Sequence, residues 1–227
     1  MLNYASVTVD RDVSGVGGLD TGSWTTGWYY IYVIYKKTTG TVGGIATATP
    51  FVKPTMPIGY TFYRYVGAIY CYYPVSEYVF RNTKQAGDYV YYVPDGTYDL
   101  TIPYTEYTTP TESAWTATSI TNYVPRTAKS IRVMIGVGAQ CDYIGLSPHS
   151  SGWGGRYIKV MGSGTLAAKT FGGIFHSSSA LNNCYTVDIP IYQGSTNIYY
   201  YVKFYTTGTK QISLHYIGYL DDQNLYY

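Results

Sequence analysis

Apolar positions along this chain either alternate with polar ones or run together briefly, and nowhere do they recur at helical spacing over a useful length. The densest run is Trp28-Tyr29-Tyr30-Ile31-Tyr32-Val33-Ile34-Tyr35, in which every residue is aromatic or β-branched. Those side chains fit a pleated, packed surface best, so the run predicts a strand. Alternation puts Tyr29, Ile31, Val33 and Tyr35 on one face and Trp28, Tyr30, Tyr32 and Ile34 on the other. Neither face is polar, so the strand is expected in the middle of a sheet, covered twice, by another sheet or by another subunit. Turn chemistry flanks it: Gly17 to Ser23 before, Lys36 to Gly40 after.

The same pattern predicts the other elements. Asn3 to Asp12 alternates as a strand, and Val42 to Thr49 returns as the hairpin partner of the aromatic run. Pro50, Pro54 and Pro57 make a rigid extended connection, after which Tyr60 to Tyr70 is a long strand bulged at Gly67. Shorter strands are expected at Tyr78 to Arg81, Asp88 to Val93 and Tyr98 to Ile102, with Pro94-Asp95-Gly96 turning between the last two. Pro103 to Ala114, rich in Thr, Pro and Glu, reads as a long surface loop. Further strands follow at Lys129 to Val137, Arg156 to Met161, Ile198 to Phe204 and Gln211 to Leu220. Their inward residues are Ile131, Val133, Ile135 and Val137; Ile158 and Val160; Ile198, Tyr200, Val202 and Phe204; and Ile212, Leu214 and Tyr216. Gly164 to Lys169 has room for one helical turn. Many short strands with Gly/Pro turns indicate an all-β fold, an antiparallel β-sandwich or jelly roll with little or no helix. It is expected as one β-rich domain over residues 1–227, with 103–114 the one place to divide it into 1–102 and 115–227.

Composition sharpens this. Only 12% of the 227 residues are charged, about half the usual share, while 31 are Tyr and 25 Gly. Tyrosine, glycine, threonine and serine stand where a soluble surface normally carries Lys and Glu, so either neighbours are expected to cover much of this surface or its tyrosines are presented for recognition. A net charge of +2 without a Lys/Arg run is no nucleic-acid footprint. The start of the chain lacks the charged and apolar segments of a secretion signal, and the central run is too short for a membrane helix. Cys71, Cys141 and Cys184 are odd in number and far apart, as buried thiols in a reducing cytoplasm would be.

Candidate chemistry is sparse. Leu19-Asp20-Thr21-Gly22-Ser23 resembles the catalytic loop of aspartic proteases, but that chemistry needs two aspartates sharing a proton, and the chain has one such sequence, so that a homodimer would have to supply the second. A structural turn is the expectation, with Asp20 and Ser23 bonding local amides. His149, His176 and His215 form no metal-ligand pattern, no cofactor motif is present, and Asp221-Asp222 reads as a solvated tail. Two Gly/Ser-rich loops, Gly145 to Arg156 and Gly172 to Asn183, are the candidate recognition surfaces. Within them Trp153, His149, Arg156, Phe175 and His176 are the candidate contacts. Trp153, flanked by glycines, is expected against a neighbouring subunit, against a glycan, or packed within its own chain.

Gly18 to Ser23, then Trp28 to Tyr35, then Thr39-Gly40-Thr41-Val42 resembles a module of bacteriophage virion proteins, found in tail fibres and related structural proteins. Pro54 to Gly67 is similar to the segment that follows in that module, and Ile120 to Ala128 to a later landmark ending in Val-Pro before Ala. These landmarks span most of residues 17 to 137; residues 71–115 and 140–195 match no pattern of it. The resemblance implies a non-enzymatic virion structural protein, assembled in the host cytoplasm: a capsid decoration, head-fibre or tail-appendage component. It implies a homotrimer, other virion proteins as partners, and a contribution to host attachment. The alternative is a carbohydrate-binding module reading host glycans. No nucleic acid, membrane insertion, cofactor or metal is expected in either case.

Overall fold

A computed structural model describes residues 6–74, 76–93, 101–107, 111–112, 114–138, 143–151, 156–159, 183–192, 195–204 and 210–222. The fold is all-β, in several antiparallel sheets, with no helix among the described residues. In chain order the strands are β1 (Gly27–Lys36), β2 (Thr41–Thr47), β3 (Phe62–Tyr72), β4 (Val79–Phe80) and β5 (Thr83–Ala86). They continue as β6 (Tyr89–Tyr92), β7 (Thr101–Tyr107), β8 (Thr111–Glu112), β9 (Thr116–Ser119) and β10 (Ala128–Gly138). The last five are β11 (Tyr143–Ser147), β12 (Arg156–Lys159), β13 (Asn183–Pro190), β14 (Asn197–Phe204) and β15 (Lys210–Asp221).

The first sheet runs β2-β1-β3-β4, so the aromatic strand is central, as its two apolar faces require. Tyr30, Tyr32 and Ile34 pack on one face with Ile45, Tyr65 and Ala68; Tyr29 packs on the other with Leu19, Ala46 and Cys71. Tyr65 and Ala68 are an odd number apart and would face opposite ways on a regular strand. A bulge lets them share a face: Ile31 pairs with Gly67 and Tyr32 with Tyr65, leaving Val66 as the extra residue. Gly67 sits at φ 152°, a conformation that favours glycine.

The second sheet runs β13-β10-β15-β6-β5, with β7 also pairing β15; the third runs β12-β11-β14, with β8 and β9 on β14's far edge. The two form a sandwich, in which Ile131, Val133, Ile135 and Leu214 meet Leu146 and Ile198 across the core. β15 is flanked along one edge by β10 and along the other by β6 and then β7, end to end.

Three expectations are corrected. Residues 6–10 form no strand; the chain there crosses the sheet where Gly44 leaves room, and the edge of β2 is taken instead by Gly17 to Asp20. The 103–114 stretch is not a loop throughout, because Thr101–Tyr107 and Thr111–Glu112 are strands. Of the expected Tyr98 to Ile102 strand, Thr101 and Ile102 lie in β7, which among the described residues pairs with β15 and not, as a hairpin, with β6; β6 instead turns at Gly87 onto β5. The Pro94-Asp95-Gly96 turn, the Gly164 to Lys169 turn, and the side chains of Val137, Ile158, Val160, Val202, Phe204 and Ile212 lie outside the described residues.

Candidate functional site

Of the five candidate contact residues, Trp153, Phe175 and His176 lie outside the described residues, as does the side chain of Arg156, whose backbone opens β12. His149 is exposed just after β11, in a tight turn in which Ser147 Oγ donates to its carbonyl at 3.0 Å. Its Nδ1 lies 2.8 Å from Ser151 Oγ. Those contacts hold the loop's own shape.

The Asp20 turn matches the expectation of local amide bonding at one carboxylate oxygen only. One carboxylate oxygen accepts the Thr21 N–H at 2.8 Å, and the other accepts the Thr55 N–H at 2.9 Å, from the proline-rich connection. Asp20 thereby ties that connection to the edge of the first sheet. Ser23, expected to act likewise, makes no such bond among the described residues.

Two surface features come from pairing registers the pattern alone does not give. On the first sheet, Val42, Tyr35 and Phe62 are direct cross-strand neighbours and therefore share a face. All three are exposed, Phe62 at 54%, and the rings of Tyr35 and Phe62 are 6.1 Å apart. Ile58, in the turn that leads into β3, is 96% exposed. On the second sheet, Asp188, Arg132, Gly218, Tyr91 and Lys84 form one row across β13, β10, β15, β6 and β5. The Arg132 fork donates to both Asp188 oxygens at 2.8 Å, reaches the Tyr91 hydroxyl at 3.3 Å, and lies 4.6 Å from the Tyr89 ring centroid. The paired carboxylate holds the guanidinium pKa above its ordinary value.

A third feature contradicts the reading of Asp221-Asp222 as a solvated tail. Asp221 ends β15 with 0% exposure. Its Oδ2 accepts the Tyr65 hydroxyl of β3 at 2.6 Å, its Oδ1 accepts the Asp222 N–H at 3.0 Å, and Tyr65 Oη lies 2.9 Å from Thr127 Oγ1. Burial pushes its carboxyl pKa up, against hydrogen bonds from Thr127, Tyr65 and the Asp222 amide that pull it down. Asp222 points outward to Lys129, 2.8 Å away. The cause is a bulge: Arg132 pairs with Gly218 and Val133 with Tyr216, so Ile217 is extra. Beyond it the alternation inverts, and Tyr219 and Asp221 turn inward in place of Leu220 and Asp222. Arg81, 3% exposed, lies 4.4 Å from the ring centroid of Tyr70, 5.3 Å from that of Tyr92 and 5.9 Å from that of Tyr123. It also donates to the Asn122 carbonyl at 2.6 Å.

Among the described residues no group of three His, Cys, Asp or Glu is arranged to hold a metal ion, and no helix is long and apolar enough to cross a membrane. Cys71 is buried, which pushes its thiol pKa up to about 11. No protein-family model, no curated protein and no solved structure matches the chain.

Proposed function

We propose that this chain is a self-assembling, non-catalytic structural protein of a bacteriophage particle, a capsid decoration, head-fibre or tail-appendage component that also serves host attachment. The observation that carries the assembly is the exposed row of Val42, Tyr35 and Phe62. Isolated apolar residues on a surface need no explanation, but a row on one sheet face, in a chain with few charges, favours cover by protein. The virion assignment rests on the resemblance of the Gly18 to Val42 and Pro54 to Gly67 segments. A trimer is the expected state, with other virion proteins as the further partners. The Asp20 geometry supports the absence of catalysis, since backbone amides take both carboxylate oxygens. Sedimentation velocity at nanomolar concentration tests the assembly: a trimer is expected, and a stable monomer overturns it.

The second reading, a carbohydrate-binding module, is favoured by the outer face of the second sheet, where Tyr89, Tyr91, Arg132 and Asp188 put aromatic and charged hydrogen-bonding groups together. A glycan array separates the two. Binding that weakens in Trp153→Ala or Tyr91→Ala supports recognition, and no saccharide binding leaves the structural role alone.

A further inference from the structure

The contact between Tyr65 and Asp221 joins the first sheet to the sandwich inside the protein. The acceptor comes from the last turn of the pleat in β15, and the donor from the middle of β3. The same seam is crossed by Tyr219 Oη donating to the Ala68 carbonyl at 3.1 Å, by Trp28 Nε1 on the Thr121 carbonyl, and by the Arg126 N–H reaching Tyr30 Oη at 3.4 Å. Those three links are between neutral groups. Asp221 is the one carboxylate among the described residues that lies fully inside the seam.

Each element packed around it contributes a group. β3 gives the Tyr65 hydroxyl, the segment before β10 gives Thr127, β15 gives Tyr219, and the residue after β15 is Asp222. β10 gives Lys129, which is engaged by Asp222 on the outer side. The β5–β6 turn offers the Asp88 carbonyl, which accepts the Asp221 backbone N–H at 2.8 Å. Arg81, the buried cation of this region, is directed at tyrosine rings and the Asn122 carbonyl. Among the described residues no basic side chain forms an ion pair with Asp221. An ionised carboxylate in such a place has hydrogen bonds but, among the described residues, no ion-pair partner, an arrangement that costs free energy in a water-poor interior.

We propose that Asp221 is a proton-operated latch: protonated, it holds the first sheet on the sandwich, and ionised, it loosens that seam. The upward displacement of its carboxyl pKa by burial agrees with this geometry. The sign follows from linkage. A carboxyl whose pKa is higher in the folded than in the unfolded chain stabilises the fold below its unfolded value, and that contribution is lost as pH rises through the folded value.

The test is urea unfolding of the full chain and of Asp221→Asn from about pH 4 to pH 9, with hydrogen exchange of β3 read against β10. Asparagine keeps the shape and cannot ionise. The folding constant of the wild type, divided by that of the variant, is expected to fall with rising pH by up to about tenfold per unit, the one-proton limit. Protection of β3 relative to β10, corrected for intrinsic rates, is expected to weaken over the same range only in the wild type. Parallel pH curves, a wild type that gains on the variant with rising pH, or unchanged β3 protection would each overturn the proposal. If Asp221→Asn does not fold, Tyr65→Phe replaces it: loss of its hydrogen bond must move the wild-type transition to higher pH, and an unmoved transition overturns the latch.

Discussion

The indole N–H of Trp28 donates to the Thr121 carbonyl at 2.8 Å, joining the central strand of the first sheet to the segment that precedes the sandwich strand β10. The same ring meets Tyr70 edge-on at 5.2 Å and Tyr219 at 5.7 Å. Trp28 therefore packs at once against the sandwich core and the Tyr30 face of the first sheet. Trp28→Phe keeps most of the apolar contact and loses the bond, at an expected cost of about 1 kcal/mol. Trp28→Ala also opens a cavity and is expected to cost about 3 kcal/mol. Urea midpoints at constant m-value check both, and a Trp28→Phe variant as stable as the wild type would show that the bond contributes nothing.

Gly218 lies between Tyr91 of β6 and Arg132 of β10. A Cβ there would overlap the Val90 backbone oxygen, so β15 and β6 would have to move apart. Gly218→Ala is expected to destabilise by about 2 kcal/mol through overpacking. Gly40, in the β1–β2 turn, has open space around it but φ +70°, so Gly40→Ala is expected to cost about 1 kcal/mol from backbone strain alone. Thermal unfolding of the two variants should rank them in that order.

Asp20→Asn leaves one good acceptor where two amides now bond. It is expected to cost about 1 kcal/mol, the scale of one lost charge-assisted bond. Incubation with unfolded substrates at acid pH should show no cleavage by either form. Cleavage that disappears in Asp20→Asn would reinstate protease chemistry.

The hydroxyls of Tyr65, Tyr216 and Tyr219 are buried, and burial raises all three pKa values above the usual phenol value. For a group whose folded pKa is raised, the stabilising contribution is present below the unfolded value and is lost above it. Folding stability is thus expected to fall once pH passes about 10, where the unfolded chain ionises first. Ultraviolet titration should show these three ionising only with unfolding. Ionisation of every tyrosine near pH 10 without loss of structure would contradict the burial described here.

The pattern along the chain made β1, β3, β10, β14 and β15 legible because each carries aromatic or β-branched residues at strand spacing. β5 was not legible. Its Thr-Lys-Gln-Ala sequence is polar and mostly exposed, and it is a strand because β6 presents an edge to it. Pro103, read as loop chemistry, sits in β7 on the sheet edge, where proline is tolerated. The bond from the Thr21 amide to Asp20 is legible in the neighbouring sequence, since turns are local, whereas the bond from Thr55, far along the chain, is not. The place of Asp221 is not legible either, because its burial depends on a bulge at Ile217 and on Tyr65, far away along the chain. The row of Val42, Tyr35 and Phe62 likewise exists only once the register of three strands is fixed.

The most direct measurement is mass photometry at nanomolar concentration of the wild type and of a Tyr35→Asp/Phe62→Asp double variant, with far-UV circular dichroism to confirm that both are folded. Both side chains are exposed, so charges there leave the core intact while opposing cover by a second copy. The wild type is expected at the mass of three chains and the variant at the mass of one. A wild type found at the mass of one chain, or a variant that keeps the mass of three, would contradict assembly through this face.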